Sequence, residues 1–338
     1  MDANKIREYI KEKGYPDYRF NQIIEAVFSG KISSFAEITS IPKNVREELD
    51  KKFSFFSFKN LGVFNSKNDK AFKFLFELYD KHRIETMVFE KGEGEWVVCV
   101  SSQVGCPVGC LFCASGKKGL KRNLDWEEIV DQVLFAKNHI LKKKLGDIKR
   151  IVYMGIGEPL FNYDNLIKSI EAINRYIKIG KRHISVSTFG YIPRIRDFAK
   201  DMPQVNLALS LHSAVQERRD ELVPFSSKYP LSKLKDALSD YLNITKRKIF
   251  IEYVMIRGVN DREKDVYKIL NFIDSISKRK YFTVNLIPYN PTSKEFESSS
   301  YERIKEFCNL LISEGVNSTV RKSYGSDIKG ACGQLAGY

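Results

Sequence analysis

The run Gly105-Cys106-Pro107-Val108-Gly109-Cys110-Leu111-Phe112-Cys113 sets three cysteines in a C-x3-C-x2-C pattern directly after the apolar stretch Trp96-Val97-Val98-Cys99-Val100. Four-iron clusters are normally held by four thiolates; three thiolates leave one iron with an open position, which suits chemistry on a small molecule. Zinc is the other reading of three cysteines. Structural zinc takes four ligands, often from two C-x2-C pairs, and the sequence has no second pair. A noncatalytic, zinc-stabilised RNA-binding protein with a histidine as fourth ligand therefore stands as the alternative to an open iron–sulfur cluster.

Outward from the cysteines, the chain alternates short apolar runs with longer amphipathic ones. Strand candidates are 96–100, 150–154, 183–187, 205–211, 249–255 and 283–288, with a late one at 318–322. Between them, 125–140, 165–177, 192–200, 233–242, 263–276 and 301–313 space their apolar residues as helices do. Asp125 followed by Glu128 has the form of a capping box. Strand–helix units in series predict a parallel sheet with its functional loops at the strand C-terminal ends. Six units make an α/β fold of the partial (β/α)6, TIM-like type, spanning 96–338. The cysteine run follows the first strand, Gly157 and Glu158 the second, Ser187 the third, Ser210 and His212 the fourth, and Asn290 the sixth, so one mouth would gather them. Upstream, 4–13, 18–28 and 44–52 read as helices separated by Gly14, Pro16, Gly30 and Pro42, giving a small helical domain over 1–60. Residues 61–95 read as a short β region, with strands at 71–79 and 84–89 around a turn near Asp80.

Charge points to the partner. The 338 residues carry 56 Lys and Arg against 42 Asp and Glu, a formal net charge of +14. Basic surface gains affinity for phosphates by releasing counterions, so a nucleic acid is expected. Lys117, Lys118, Lys121 and Arg122, just after Cys113, border the presumed chemistry and are the group best placed to meet RNA. No apolar run approaches the roughly 20 residues that span a bilayer, and the start, Met1 to Arg7, lacks the apolar core of a signal peptide. Six cysteines, three of them in one motif, fit a reduced, cytoplasmic protein better than a disulfide-built one. Cys308, on the apolar face of the 301–313 helix, reads as core.

Six ordered segments sharpen this picture: Val-Cys-Val-Ser-Ser-Gln-Val-Gly-Cys (98–106), Met-Gly-Ile-Gly-Glu-Pro-Leu-Phe-Asn (154–162), Val-Ser-Thr-Phe-Gly (186–190), Leu-Ser-Leu-His (209–212), Asn-Leu-Ile-Pro-Tyr-Asn-Pro (285–291) and Ala-Cys-Gly-Gln-Leu-Ala-Gly (331–337). Together they resemble the RlmN/Cfr family of radical S-adenosylmethionine (SAM) RNA methyltransferases over nearly the whole chain. The resemblance implies a 4Fe-4S cluster on Cys106, Cys110 and Cys113. Its free iron would chelate SAM, and an electron would cleave SAM to a 5′-deoxyadenosyl radical. Members methylate adenosine at C2, in 23S rRNA and tRNA, or at C8 in the antibiotic-resistance branch. Those ring carbons are electron-poor and cannot attack the SAM methyl directly, so a thiolate takes it first. By resemblance Cys332 is that nucleophile, and the radical made from a second SAM activates its S-methyl group to join the base. Cys99 then resolves the protein–RNA adduct through a transient disulfide with Cys332.

The same resemblance makes Glu85 the acceptor of the ring proton. It assigns SAM contacts to Gly157, Glu158, Ser187, Ser210, Leu211, His212 and Asn290. It also brings an electron donor such as a flavodoxin or ferredoxin, and a monomer. Pro159 looks like the C2 branch, whereas Gly119-Leu120-Lys121 and Leu211-His212-Ser213 are shared with the C8 branch. Lys329-Gly330 stands where the family more usually has Asp-Ala. Another radical SAM enzyme, acting on a small molecule or a protein, would need neither Cys332 nor RNA.

Overall fold

Residues 3–337 are described by a computed structural model of the chain. Three helices come first: α1 (Ala3–Glu12), α2 (Asp17–Phe28) and α3 (Lys43–Lys52). Ile6, Ile10, Ile23, Val27, Val45 and Leu49, at helical spacing, are buried between them. Pro16 and Pro42 immediately precede α2 and α3, where a missing N–H costs nothing. The helices dock on the rest of the molecule: the Phe28 and Tyr176 rings lie 4.7 Å apart, and the Ser57 amide donates to the Asp131 carboxylate at 2.8 Å.

Four antiparallel strands follow, β1 (Phe58–Asn65), β2 (Ala71–Leu78), β3 (Arg83–Gly92) and β4 (Glu95–Cys99). The sequence pattern does not announce β1, because Gly62 sits at a bulge that breaks its two-residue period. A small ribbon, β5 (Gln103–Gly105) with β6 (Leu120–Asn123), brackets the cysteine run. The expected alternation then appears: α4 (Trp126–Lys142), β7 (Asp147–Tyr153), α5 (Tyr163–Ala172), β8 (Ile184–Thr188), α6 (Ile192–Asp201), β9 (Asn206–Ser210), α7 (Gln216–Leu222), α8 (Leu231–Thr245), β10 (Ile249–Met255), α9 (Glu263–Asp274), β11 (Phe282–Pro288), α10 (Tyr301–Ser313) and β12 (Asn317–Val320). From β4 through β7 to β12 every pairing is parallel, and β1 to β3 extend the same sheet. The Asp125–Glu128 capping box is formed at the start of α4, and Cys308 packs in the core. Among the described residues no helix is long and apolar enough to cross a membrane.

Two-residue alternation explains why the barrel is hollow. Ile184 and Val186 of β8, Leu207 and Leu209 of β9, and Val284 and Leu286 of β11 belong to the main apolar core with the helices. Their neighbours Ser185, Ala208, Thr283 and Asn285 face inward instead. Bulky inward layers fill closed eight-stranded barrels; here small and polar residues interrupt bulkier ones such as Phe250 and Ile287, and the interior holds a cavity of about 560 Å³.

The sheet does not close on itself, since β1 and β12 are its two ends. The chain after β12 crosses to the antiparallel strands as a strap. Tyr324 stacks on Phe89 with centroids 4.5 Å apart, the Gly325 amide donates to Asp69 at 3.1 Å, and Asp327 accepts from the Ser66 hydroxyl at 2.7 Å. Lys329 takes a left-handed φ of +51°, and a Cβ on Gly330 would stand 2.3 Å from the Met87 sulfur. The Lys-Gly pair therefore fits this crossing, where an alanine at 330 would crowd Met87.

Candidate active site

The cysteine run is held from three sides. The Cys106 amide donates to Gly119 O at 3.2 Å, Leu111 N to Leu222 O at 3.0 Å, and the Thr292 hydroxyl to Phe112 O at 3.1 Å. All three cysteines line one upper chamber at the strand C-terminal ends. Burial pushes Cys106 up to about 12 and Cys110 well above the ordinary thiol range, so both are neutral thiols until a metal ionises them.

His212 decides what these thiols can hold. It is buried in that chamber with a φ of +57°, and Asn260 donates to its carbonyl at 2.8 Å. Its Nδ1 accepts from the Val254 amide at 3.1 Å, which leaves the ring proton on Nε2 and no lone pair for a metal. Burial, aided by Arg219, lowers it to about 3 and keeps it neutral. Among the described residues no three His, Cys, Asp or Glu side chains come together as ligands of a single metal ion. Three thiols without a fourth ligand fit a cluster with one open iron.

Gly157, Glu158, Ser187, Ser210, His212 and Asn290 all line the same chamber. Gly157, at φ +111°, passes so close to Gln103 that a Cβ would stand 2.7 Å from its side chain. Glu158 accepts from Leu160 N at 3.2 Å and Phe189 N at 3.0 Å, yet burial pushes it up to about 7. The Ser187 and Ser210 hydroxyls are 3.0 Å apart. This wall offers hydroxyls, a carboxyl and an N–H donor beside the thiols, a set suited to the polar groups of SAM.

Below it lies the hollow interior of the barrel. The two spaces meet at Cys113, Glu252, Arg321 and Cys332, which line both. Cys332 is exposed toward these spaces, and its carbonyl accepts from Asn290 Nδ2 at 3.1 Å. The next residues dock on the turn after Cys113: Ala114 N donates to Gly333 O at 2.7 Å and the Ser115 hydroxyl to Leu335 O at 2.6 Å. Desolvation raises the Cys332 thiol, with Arg321 acting the other way. Cys99, buried in the lower wall, is pushed up to about 12 by desolvation and by neighbouring Cys332.

Two expected site residues lie off this wall. Leu211 is fully buried in the main core, with its carbonyl accepting from Arg219 Nε at 3.2 Å. Glu85 lines neither chamber. It is buried in an ion pair with Lys73 at 2.8 Å, and its other oxygen accepts from Ala336 N at 2.7 Å and Gly337 N at 2.9 Å. The basic group after Cys113 is divided: Lys117, Lys118 and Lys121 are exposed, and Arg122 is partly buried. Lys117 donates to Thr292 O and Lys118 to Gly337 O, at 3.1 and 3.3 Å, while Arg122 pairs with Asp80 and Glu128.

The sequence reading passed over Glu252, Arg321 and Arg219. For Glu252 the signal was present: a carboxylate among apolar residues in Ile-Phe-Ile-Glu-Tyr-Val-Met, at inward parity with Phe250 and Val254. Arg219, fully buried on α7, donates to Phe189 O and Leu211 O while its Nη1 has no partner.

Similarity to known proteins matches this geometry. The Radical SAM superfamily profile covers residues 100–270. A probable dual-specificity RNA methyltransferase RlmN of Dictyoglomus thermophilum is 40% identical over 99% of this chain and 95% of its own length. The ribosomal RNA large subunit methyltransferase Cfr of Bacillus velezensis is 39% identical over 98% of this chain and 95% of its own. A crystal structure of a radical SAM methyltransferase from Sphaerobacter thermophilus superposes with a TM-score of 0.93 at 34% identity, covering 100% of this chain and 98% of the other. A three-thiol loop over a hollow partial barrel, and full-length relatives on both sides, place the chain in the RlmN/Cfr family of radical SAM RNA methyltransferases.

Proposed function

We propose that this protein methylates C2 of an adenosine in 23S rRNA, and in tRNA, through S-methylation of Cys332 and a transient protein–RNA adduct released by Cys99. The observation that carries the reading is the placement of two thiols outside the cysteine run. Cys332 lines both chambers and Cys99 the lower one, so a base held in the barrel would lie between them. When bound on Cys106, Cys110 and Cys113, the 4Fe-4S cluster supplies an electron that cleaves one SAM, a second SAM serving as methyl donor. Asn290 fixes the backbone of Cys332, while His212 and Glu158 orient the polar groups of SAM. Carbon–carbon bonding of the activated methyl to C2 ties the RNA to Cys332. The addition leaves one unpaired electron on the ring; its loss to a one-electron acceptor, loss of the ring proton, attack by Cys99 on the Cys332 sulfur and protonation of the freed methylene carbon would then release the methylated base and leave a disulfide.

The regiochemistry rests on Pro159, which opens the short turn 159–162 next to Glu158. C8 methylation is the second reading, since a relative named for Cfr is about as similar as those named for RlmN. This function brings a cytoplasmic monomer supplied by a flavodoxin or ferredoxin. In it, residues 1–60 form an RNA-binding accessory unit, 61–95 the β region and 96–338 the catalytic core. The test is to incubate anaerobically reconstituted enzyme with SAM, a reductant and protein-free rRNA or tRNA, digest the RNA and identify the nucleosides by mass spectrometry. 2-Methyladenosine is expected; 8-methyladenosine moves the protein to the other branch, and neither product from either RNA refutes the reading.

A further inference from the structure

The ring proton that must leave C2 needs an acceptor beside Cys332, because the carbon being joined is one atom from that sulfur. Two carboxylates, Glu158 and Glu252, line the upper chamber, and Glu252 alone of the two also lines the barrel interior. Both oxygens of Glu158 are engaged by backbone amides. His212 already accepts at Nδ1 and carries its proton on Nε2. Glu85 is committed to Lys73 and to the strap.

Glu252 has what the others lack. It projects inward from β10, level with Ser210 of β9 and Asn285 of β11 in the parallel register. It is 4% exposed, and its Oε1 accepts from Asn285 Nδ2 at 2.7 Å, which fixes the plane of the carboxylate. Its Oε2 is buried and has no partner. A buried carboxylate oxygen left unpartnered is costly, and it lies on the stretch of wall where Cys332 and Arg321 also meet the cavity.

We propose that Glu252 is the general base that removes the ring proton from the adenine bound to Cys332. This rests on the adduct mechanism proposed above. In the step, the C2–H bond breaks, its electron pair stays with the ring, and an O–H bond forms at Oε2. Asn285 holds the other oxygen throughout, and Arg321 offsets the charge of the carboxylate before transfer. The proton transfer itself needs no further reactant; the electron left unpaired by the addition leaves in the separate one-electron step. Burial raises Glu252 above the usual carboxylate range, which makes it a stronger base than a solvated carboxylate.

Glu252→Gln, Glu85→Gln and Cys99→Ala are compared in the reconstituted full-length enzyme with SAM, reductant and RNA. Three readouts are taken: S-methyl-Cys332 by peptide mass spectrometry, covalent protein–RNA species on a denaturing gel, and methylated nucleoside. Glu252→Gln should methylate Cys332 normally, accumulate the protein–RNA species as Cys99→Ala does, and lose product about a hundredfold. Glu85→Gln should trap no RNA and be impaired at methylation of Cys332, whose strap it loosens. Glu252→Gln giving free product at the wild-type rate, or stalling before Cys332 is methylated, overturns the proposal, as does trapped RNA with Glu85→Gln. If Glu252→Gln does not fold, Glu252→Asp carries the test. Its shorter side chain draws the carboxylate back from the ring proton and should slow release at least tenfold with the adduct visible, and wild-type release overturns the assignment. Absence of any adduct with Cys99→Ala sinks the cysteine mechanism itself, a failure distinct from that of Glu252.

Discussion

Burial leaves Glu158 half protonated near neutrality, so its effect on stability has a definite sign. Its folded value, about 7, lies above the unfolded value of roughly 4.3, and the native state therefore holds more protons between those limits. Stability from this group falls as pH rises through that window. Glu158→Gln, which like the protonated acid turns one oxygen position into a donor, should lie within about 1 kcal/mol of wild type at pH 5. At pH 8 it should be more stable by about 3 kcal/mol. Urea unfolding of both proteins, free of cluster and SAM, measures the difference; equal gaps at the two pH values would show that the carboxyl does not titrate there. The thiols give a second residue-scale expectation. Cys332→Ala should abolish RNA methylation while SAM cleavage survives, and normal turnover by that variant removes Cys332 from the chemistry. The inward parity of Cys99 was readable from its strand, where Trp96 and Val98 face the core. The position of Glu85 was not. Lys73 and Glu85 meet only because Leu75 pairs with Glu85 and Lys73 is two residues away on the same face, a register that composition does not disclose.

At the scale of elements, the Lys73–Glu85 pair joins β2 and β3 to the strap that bears Cys332. Breaking such a pair by removing one partner leaves a buried charge, at a cost of about 3–5 kcal/mol. Glu85→Ala should be destabilised by about that amount, and Lys73→Met combined with Glu85→Leu should recover most of it; chemical denaturation of the three proteins is the check. A double variant no more stable than Glu85→Ala would mean that the strap amides, not the lysine, dominate the loss. The parallel strands and their helices were legible because apolar outward positions alternate with polar inward ones, and because Asp125 and Glu128 mark the start of α4. β1 and α7 were not, the first for its bulge at Gly62 and the second because seven residues carry too little periodicity.

For the whole molecule, a net charge of +14 sets how RNA affinity responds to salt. Binding that neutralises several phosphates should weaken by orders of magnitude between about 50 and 200 mM salt. Fluorescence anisotropy with a labelled RNA fragment would measure this, and a flat response would rule out an electrostatic footprint. Arg122 is an internal strut paired with Asp80 and Glu128, whereas Lys117, Lys118 and Lys121 stay exposed, a distinction that a linear sequence does not disclose. The strap carries the broader consequence. In a closed barrel every stave is hydrogen-bonded edge to edge, whereas here β1 and β12 are left as ends and the gap is spanned by chain without strand pairing. The vessel thus has one stave held without strand pairing, and it is the one that carries Cys332. Amides of residues 325–337 should exchange with deuterium well before those of β8 to β10. A large folded RNA could then be received, held by one thioether and let go through a single moving seam, with no need for its strand to be threaded along the axis.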